Sequence, residues 1–105
     1  MEIVETSIFT RQLLGLLSDD EYRMLQAALA NRPTLGAVIP GGGGIRKVRW
    51  GLGRRGKRGG ARIVYYWAVS RDTLLMLSLF AKGEQDDLTA VQVRELRAVV
   101  KEEYG

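Results

Sequence analysis

The chain has 105 residues, 16 of them basic and 12 acidic, for a net charge of +4, and it contains neither cysteine nor histidine. Without cysteine it can form no disulfide, thiolate nucleophile or cysteine-ligated zinc or iron–sulfur site. Without histidine there is no Ser-His-Asp triad, no histidine acid–base pair and no common zinc ligand set, so proton transfer falls to Lys, Tyr, Asp or Glu.

The length suits one domain, residues 1–105, at the usual ~100–200 residues each. No run approaches the ~20 apolar residues that span a bilayer; the longest, Leu74–Ala81, is broken by Ser78. The first residues, Met1–Glu5, lack the basic and apolar regions of a signal peptide. A cytoplasmic protein with no membrane association is therefore expected.

Taken in order, Glu2–Glu5 reads as a short strand. Ile8, Phe9, Leu13, Leu14, Leu16 and Leu17 then fall on one broad helical face. Ser18 with Glu21 forms a capping box, and Asp19 and Asp20 in the first turn suit the helix dipole. Tyr22, Leu25 and Leu29 continue this second helix until Asn31 and Pro33 stop it, giving a helical hairpin. Residues 33–44 hold both prolines and four consecutive glycines, which predicts a flexible loop.

Ile45–Trp50 alternates as a strand, with Arg46, Val48 and Trp50 on one face and Ile45, Lys47 and Arg49 on the other. Residues 51–60 are rich in Gly and Arg and predict a long, mobile turn. Arg62–Val69 is β-branched and aromatic, as strands prefer. Asp72 marks a tight turn, and Thr73–Ala81 predicts a central strand in an antiparallel meander. After the polar loop Lys82–Asp87, the capping box of Thr89 and Gln92 opens a last helix, with Val93, Leu96 and Val100 on its apolar face. The order β-α-α-β-β-β-α makes an α+β fold, with the helices expected on one face of a small, mainly antiparallel sheet.

Charge is not spread evenly over these elements. Between Gly44 and Arg62 there are eight basic residues and no acidic one, so the rest of the chain is net negative, with eight basic against 12 acidic. A field this local implies a polyanionic partner, and nucleic acid is the commonest. The same stretch contains Gly51-Leu-Gly53-Arg-Arg-Gly56, which fits G-x-G-x-x-G, and Gly51 to Lys57 fits G-x-x-x-x-G-K. The dinucleotide motif needs a helix to follow and the P-loop needs Ser or Thr after its Lys. Here Arg58 follows Lys57 and a strand comes next, so a glycine-rich turn is the better reading. Of Tyr65, Tyr66 and Trp67, neighbours must face opposite ways; some pack in the core, and another has the option of stacking on a base.

One ordered set of segments carries a family resemblance. Arg46-Lys-Val-Arg49, the basic glycine-rich gap, Gly60-Ala-Arg62-Ile-Val-Tyr65, an apolar strand, Phe80-Ala-Lys82 and a closing helix together resemble the RelE/HigB superfamily, the toxins of bacterial type II toxin–antitoxin systems. The long gap and the Phe80–Thr89 segment are similar to the HigB-like branch. The resemblance implies a compact RelE-like domain acting as a ribosome-dependent mRNA endoribonuclease in the ribosomal A site. It also implies silencing by a cognate antitoxin, a helix-turn-helix DNA-binding protein through which alone the toxin would reach operator DNA.

Under that resemblance Arg62 matches the arginine that stabilises the transition state. Lys47 and Arg49 match the basic pair on the preceding strand, and Lys82 the basic residue ending the last strand. Arg46, Arg54, Arg55, Lys57, Arg58 and Tyr65 are the expected RNA contacts. Where some members carry an arginine and then a tyrosine after the lysine, this chain has Gly83 and, further on, Leu88 and Thr89. Lys82, Lys47 or Lys57, or the acids Glu84 and Asp87, are the substitutes for a missing tyrosine base. No cofactor or metal is expected, because RNA supplies its own 2′-OH nucleophile. The alternatives are a non-catalytic RNA- or DNA-binding module and a basic interaction protein.

Overall fold

Side chains that satisfy orphan amides set where each helix starts. In α1 (Ser7–Leu16) the Thr6 hydroxyl accepts from the Phe9 amide at 3.1 Å. In α2 (Asp19–Asn31) Ser18 and Glu21 form the expected reciprocal capping box, and Thr89 and Gln92 repeat it at the head of α3 (Ala90–Tyr104). The computed structural model describes residues 1–51, 60–81, 83, 85 and 87–105. Among these, no helix is long and apolar enough to cross a membrane.

Five strands, β1 (Glu2–Glu5), β2 (Ala37–Val38), β3 (Arg46–Trp50), β4 (Ala61–Ala68) and β5 (Thr73–Ala81), make one mixed sheet in the order β1-β5-β4-β3-β2. The meander β3-β4-β5 is antiparallel as expected, β2 adds to it antiparallel, and β1 pairs with β5 in parallel. Asp72 makes the turn into β5 with a left-handed φ of 47°, a conformation that Asp tolerates. Between Val64 and Tyr65 the register slips so that Leu77 lies opposite neither residue. This bulge lets Met76 and Leu79 face one way while Leu75, Leu77 and Phe80 face the other.

The structure corrects the expected layering. The helices do not share a face: α1 and α2 cover Ile63, Tyr65, Leu74, Met76 and Leu79, whereas α3 covers Val64, Leu75, Leu77 and Phe80. The reason lies in β4 and β5, whose near-continuous apolar runs are buried on both sides and need both sides covered. Residues 33–44 also depart from a flexible loop. They contain the short strand β2, and the Gly42 amide donates to the Ile39 carbonyl at 3.0 Å and the Ile39 amide to the Ile45 carbonyl at 2.9 Å. Gly41, Gly43 and Gly44 hold φ values of 75°, 70° and 102°, which explains the glycine run as a shaped turn.

β1 pairs only with Thr73–Met76, so the farther half of β5 forms a sheet edge. Side chains from the start of α1 occupy it. The Thr6 hydroxyl donates to the Leu77 carbonyl at 3.0 Å, and the Gln12 side-chain oxygen accepts from the Leu79 amide at 2.9 Å. Such pairing blunts an edge against unwanted strand addition.

Candidate nucleic-acid interface

The period of two along β3 and β4 sorts the predicted site residues onto opposite faces. Arg46 pairs with Tyr65 and Val48 with Ile63, on the α1/α2 face; Lys47 pairs with Val64 and Arg49 with Arg62, on the α3 face. Lys47, Arg49 and Arg62 thus share one surface. Lys47 and Arg49 stand two residues apart, about 7 Å along the strand, and Arg49 lies directly across from Arg62. Like charges directly opposite on a sheet destabilise it, so the fold gains nothing from this pairing.

Arg62 is the unusual member. Only 7% of it is exposed, and its Nη1 has no hydrogen-bond partner among the described residues. A Cβ built at Gly60 would lie 3.5 Å from that Nη1 and 3.6 Å from Arg49 Cγ, which puts the guanidinium beside Gly60 and Arg49. Among the described residues the only other buried side-chain N or O left unpaired is the neutral indole Nε1 of Trp67. A buried donor without an acceptor costs on the order of 1–3 kcal/mol, and more when charged. The Nη1 donor is therefore available to an acceptor from outside the described residues.

Lys47 is differently placed. Its Nζ lies 2.7 Å from Asp87 Oδ1, and the two side chains are 29% and 58% exposed. Asp87 Oδ1 also accepts from the Leu88 amide at 2.8 Å. The Lys47 hydrogen bond first, then the Leu88 amide, and to a lesser degree the charge of Arg62, hold the Asp87 carboxyl below its ordinary range, so it is ionised near neutrality. Lys47 is thus one half of an ion pair on this face. Asp87 is held in turn by Gln85, whose Nε2 donates to the Asp87 carbonyl and to Gln92 Oε1, both at 2.6 Å.

Two of the expected RNA contacts, Tyr65 and Arg46, make hydrogen bonds within the fold. Tyr65 is fully buried; its hydroxyl donates to the Pro33 carbonyl at 2.7 Å and accepts from the Gly36 amide at 2.8 Å. Burial pushes its phenol up, with the Gly36 amide and Arg46 pulling less strongly the other way. No ring face is left to stack on a base. A Cβ at Gly36 would come within 2.9 Å of both the Tyr65 ring and the Lys47 carbonyl, so glycine is required for this approach. Arg46 Nη1 donates to the Gly36 carbonyl at 2.8 Å and, at 3.5 Å, to that of Thr34. Tyr66 stacks on Tyr104, with ring centroids 5.9 Å apart at 26°, and Arg71 lies 5.3 Å from the centre of the Tyr104 ring.

Arg54, Arg55, Lys57 and Arg58 of the basic arm, with Lys82 and Glu84, lie outside the described residues. So does the Gly-x-Gly-x-x-Gly match, all but Gly51. β5 ends at Ala81, opposite Ala61 and one register step from Arg62. The Lys47–Asp87 pair joins positions forty residues apart, and sequence reasoning named both residues without a signal that they meet. No group of three or more acidic, His or Cys side chains is placed to hold a metal ion among the described residues. No family model matches the chain.

Proposed function

We propose that the protein is an mRNA endoribonuclease of the RelE/HigB type, a toxin that cuts mRNA on the ribosome and is neutralised by a cognate antitoxin. The observation that carries this reading is the buried Arg62 guanidinium with an unpartnered Nη1, set opposite Arg49 and on the face that bears Lys47. Phosphodiester cleavage by the neighbouring 2′-OH passes through a phosphorane-like state with added negative charge. Donors preorganised for that charge are the largest single source of rate in such sites. Attack of the 2′-oxygen on phosphorus breaks the bond to the 5′-oxygen and leaves a 2′,3′-cyclic phosphate and a 5′-OH.

In this reading Arg62 and Arg49 stabilise the phosphorane, and Lys47 holds the phosphate from the adjacent register position. The residues 52–59 supply non-specific grip on the RNA backbone, which a chain this basic over so short a stretch would provide. The ribosome positions the 2′-OH in line, which is the entropic part of catalysis. Lys82 is the lysine proposed for proton transfer, with Lys57 as the other candidate. A non-catalytic nucleic-acid-binding module would use the same basic face and differ in leaving mRNA intact.

The test is induction in a bacterial host, with mRNA ends mapped against reading frame. Wild-type protein should arrest growth and cut within codons, and Arg62→Ala should do neither while accumulating as folded protein. Arrest with intact mRNA would favour the binding module. An Arg62→Ala protein as toxic as wild type would remove the site assignment.

A further inference from the structure

Asp87 is an acidic residue set into a basic face, and its contacts show more than a surface ion pair. Its Oδ1 is the point where two donors converge, the Lys47 ammonium at 2.7 Å and the Leu88 amide at 2.8 Å. Both would serve a phosphate oxygen equally well, since an ammonium and a backbone N–H are standard phosphate ligands. The Arg62 charge also acts on this carboxylate. Oδ1 therefore marks an anion position inside the basic cluster.

The mounting of Asp87 allows the carboxylate to leave. Its side chain is 58% exposed, whereas Arg62 is 7% exposed and Lys47 is largely covered. The backbone around it is fixed independently: Gln85 holds the Asp87 carbonyl, and α3 is capped by Thr89 and Gln92 rather than by Asp87. Rotation of one exposed side chain would free Nζ and the Leu88 amide without unwinding the helix or opening the core.

We propose that Asp87 is an internal placeholder for the substrate phosphate, its carboxylate holding Lys47 until a phosphodiester of single-stranded RNA displaces it. This rests on the RNA reading above. The consequence is selectivity. An isolated small anion would exchange one acceptor for another at Lys47 and gain little. An RNA backbone that also reaches Arg49 and the unpartnered Arg62 gains contacts that Asp87 cannot make.

A 2′-O-methyl oligonucleotide, which cannot be cleaved, separates binding from chemistry. Fluorescence anisotropy across a salt series would compare wild type with Asp87→Asn and Asp87→Ser, both of which retain an acceptor for the Leu88 amide; thermal unfolding would confirm that they fold. Both variants should bind about 5-fold tighter, the scale of one lost exposed ion pair. Their log–log salt slope should steepen by up to about 0.7, the weight of one phosphate on a single strand, because no carboxylate remains beside the bound phosphate to offset its neutralisation. In a Lys47→Met background the gain should disappear. Unchanged or weaker binding by the Asp87 variants, or the same gain without Lys47, would overturn the placeholder alone. Absence of binding by wild type and every variant would overturn the RNA reading with it.

Discussion

The two faces of the sheet use the same residue types for opposite ends. On the α1/α2 face, Arg46 and Tyr65 direct their polar atoms to the carbonyls of Pro33 and Gly36 and to the Gly36 amide, and so hold the 33–38 segment against the sheet. On the α3 face, Arg49 and Arg62 stand opposite each other, and Arg62 leaves a buried donor unanswered. Strand neighbours thus part company by parity: Arg46 is tied to the 33–38 segment through Nη1, whereas Arg62 keeps a buried Nη1 without a partner among the described residues. The lesson is that a basic stretch is not a unit; the pleat divides it.

Substitutions across the two faces sharpen this contrast. The largest effect belongs to Arg62. Removing one preorganised donor of developing charge typically costs about 10²–10³-fold in rate, so Arg62→Met should lose mRNA cleavage by at least that factor. Its stability in urea should hold or rise, because an unpartnered buried charge is replaced by an apolar chain of similar size. Tyr65→Phe should behave in reverse. It removes two hydrogen bonds and strands the Gly36 amide, a loss of about 2–3 kcal/mol by denaturant unfolding, while cleavage per folded molecule stays near wild type.

Arg46→Met should come next, at about 1–2 kcal/mol, since the Gly36 carbonyl loses a charged donor at 2.8 Å. An equal loss of cleavage per folded molecule in Arg46→Met and Arg62→Met would erase the distinction between the faces.

The smallest effect is a pH dependence at Tyr22, on the α1/α2 face. Tyr22 donates to Glu5 Oε2 at 2.7 Å, and burial first, then that hydrogen bond, raise its phenol well above the ordinary 10.0. The unfolded chain releases this proton from about pH 10 upward while the folded chain keeps it. The contribution is therefore fully present below pH 10 and is lost as pH rises beyond it, by about 1.4 kcal/mol for each pH unit between the two pKa values. Unfolding midpoints measured from roughly pH 9 to 11 should fall less steeply for Tyr22→Phe than for wild type.

Much of this was legible in the chain itself. Ser18 with Glu21 and Thr89 with Gln92 placed two helix starts because a capping box is a local chemical arrangement. The alternation from Ile45 to Trp50 separated Arg46 from Lys47 and Arg49, because a strand's period of two is rigid. Arg62 showed as a basic residue at the head of a β-branched and aromatic strand. The burial of helices on both faces was signalled by the apolar continuity of β4 and β5, but an expectation of one covered face overrode it. The parallel pairing of β1 with β5 and the two-residue β2 depend on contacts between segments far apart in the chain. So do the Tyr65 hydroxyl's partners at Pro33 and Gly36 and the meeting of Lys47 with Asp87. No local pattern encodes such meetings.

The central claim is that Arg62 serves the reaction and not the fold. Cleavage of a translated mRNA by Arg62→Met, normalised to folded protein and run beside Tyr65→Phe, tests it most directly. The account predicts cleavage lost in Arg62→Met by about 10²-fold or more and retained in Tyr65→Phe. Cleavage retained in a well-folded Arg62→Met protein would contradict it.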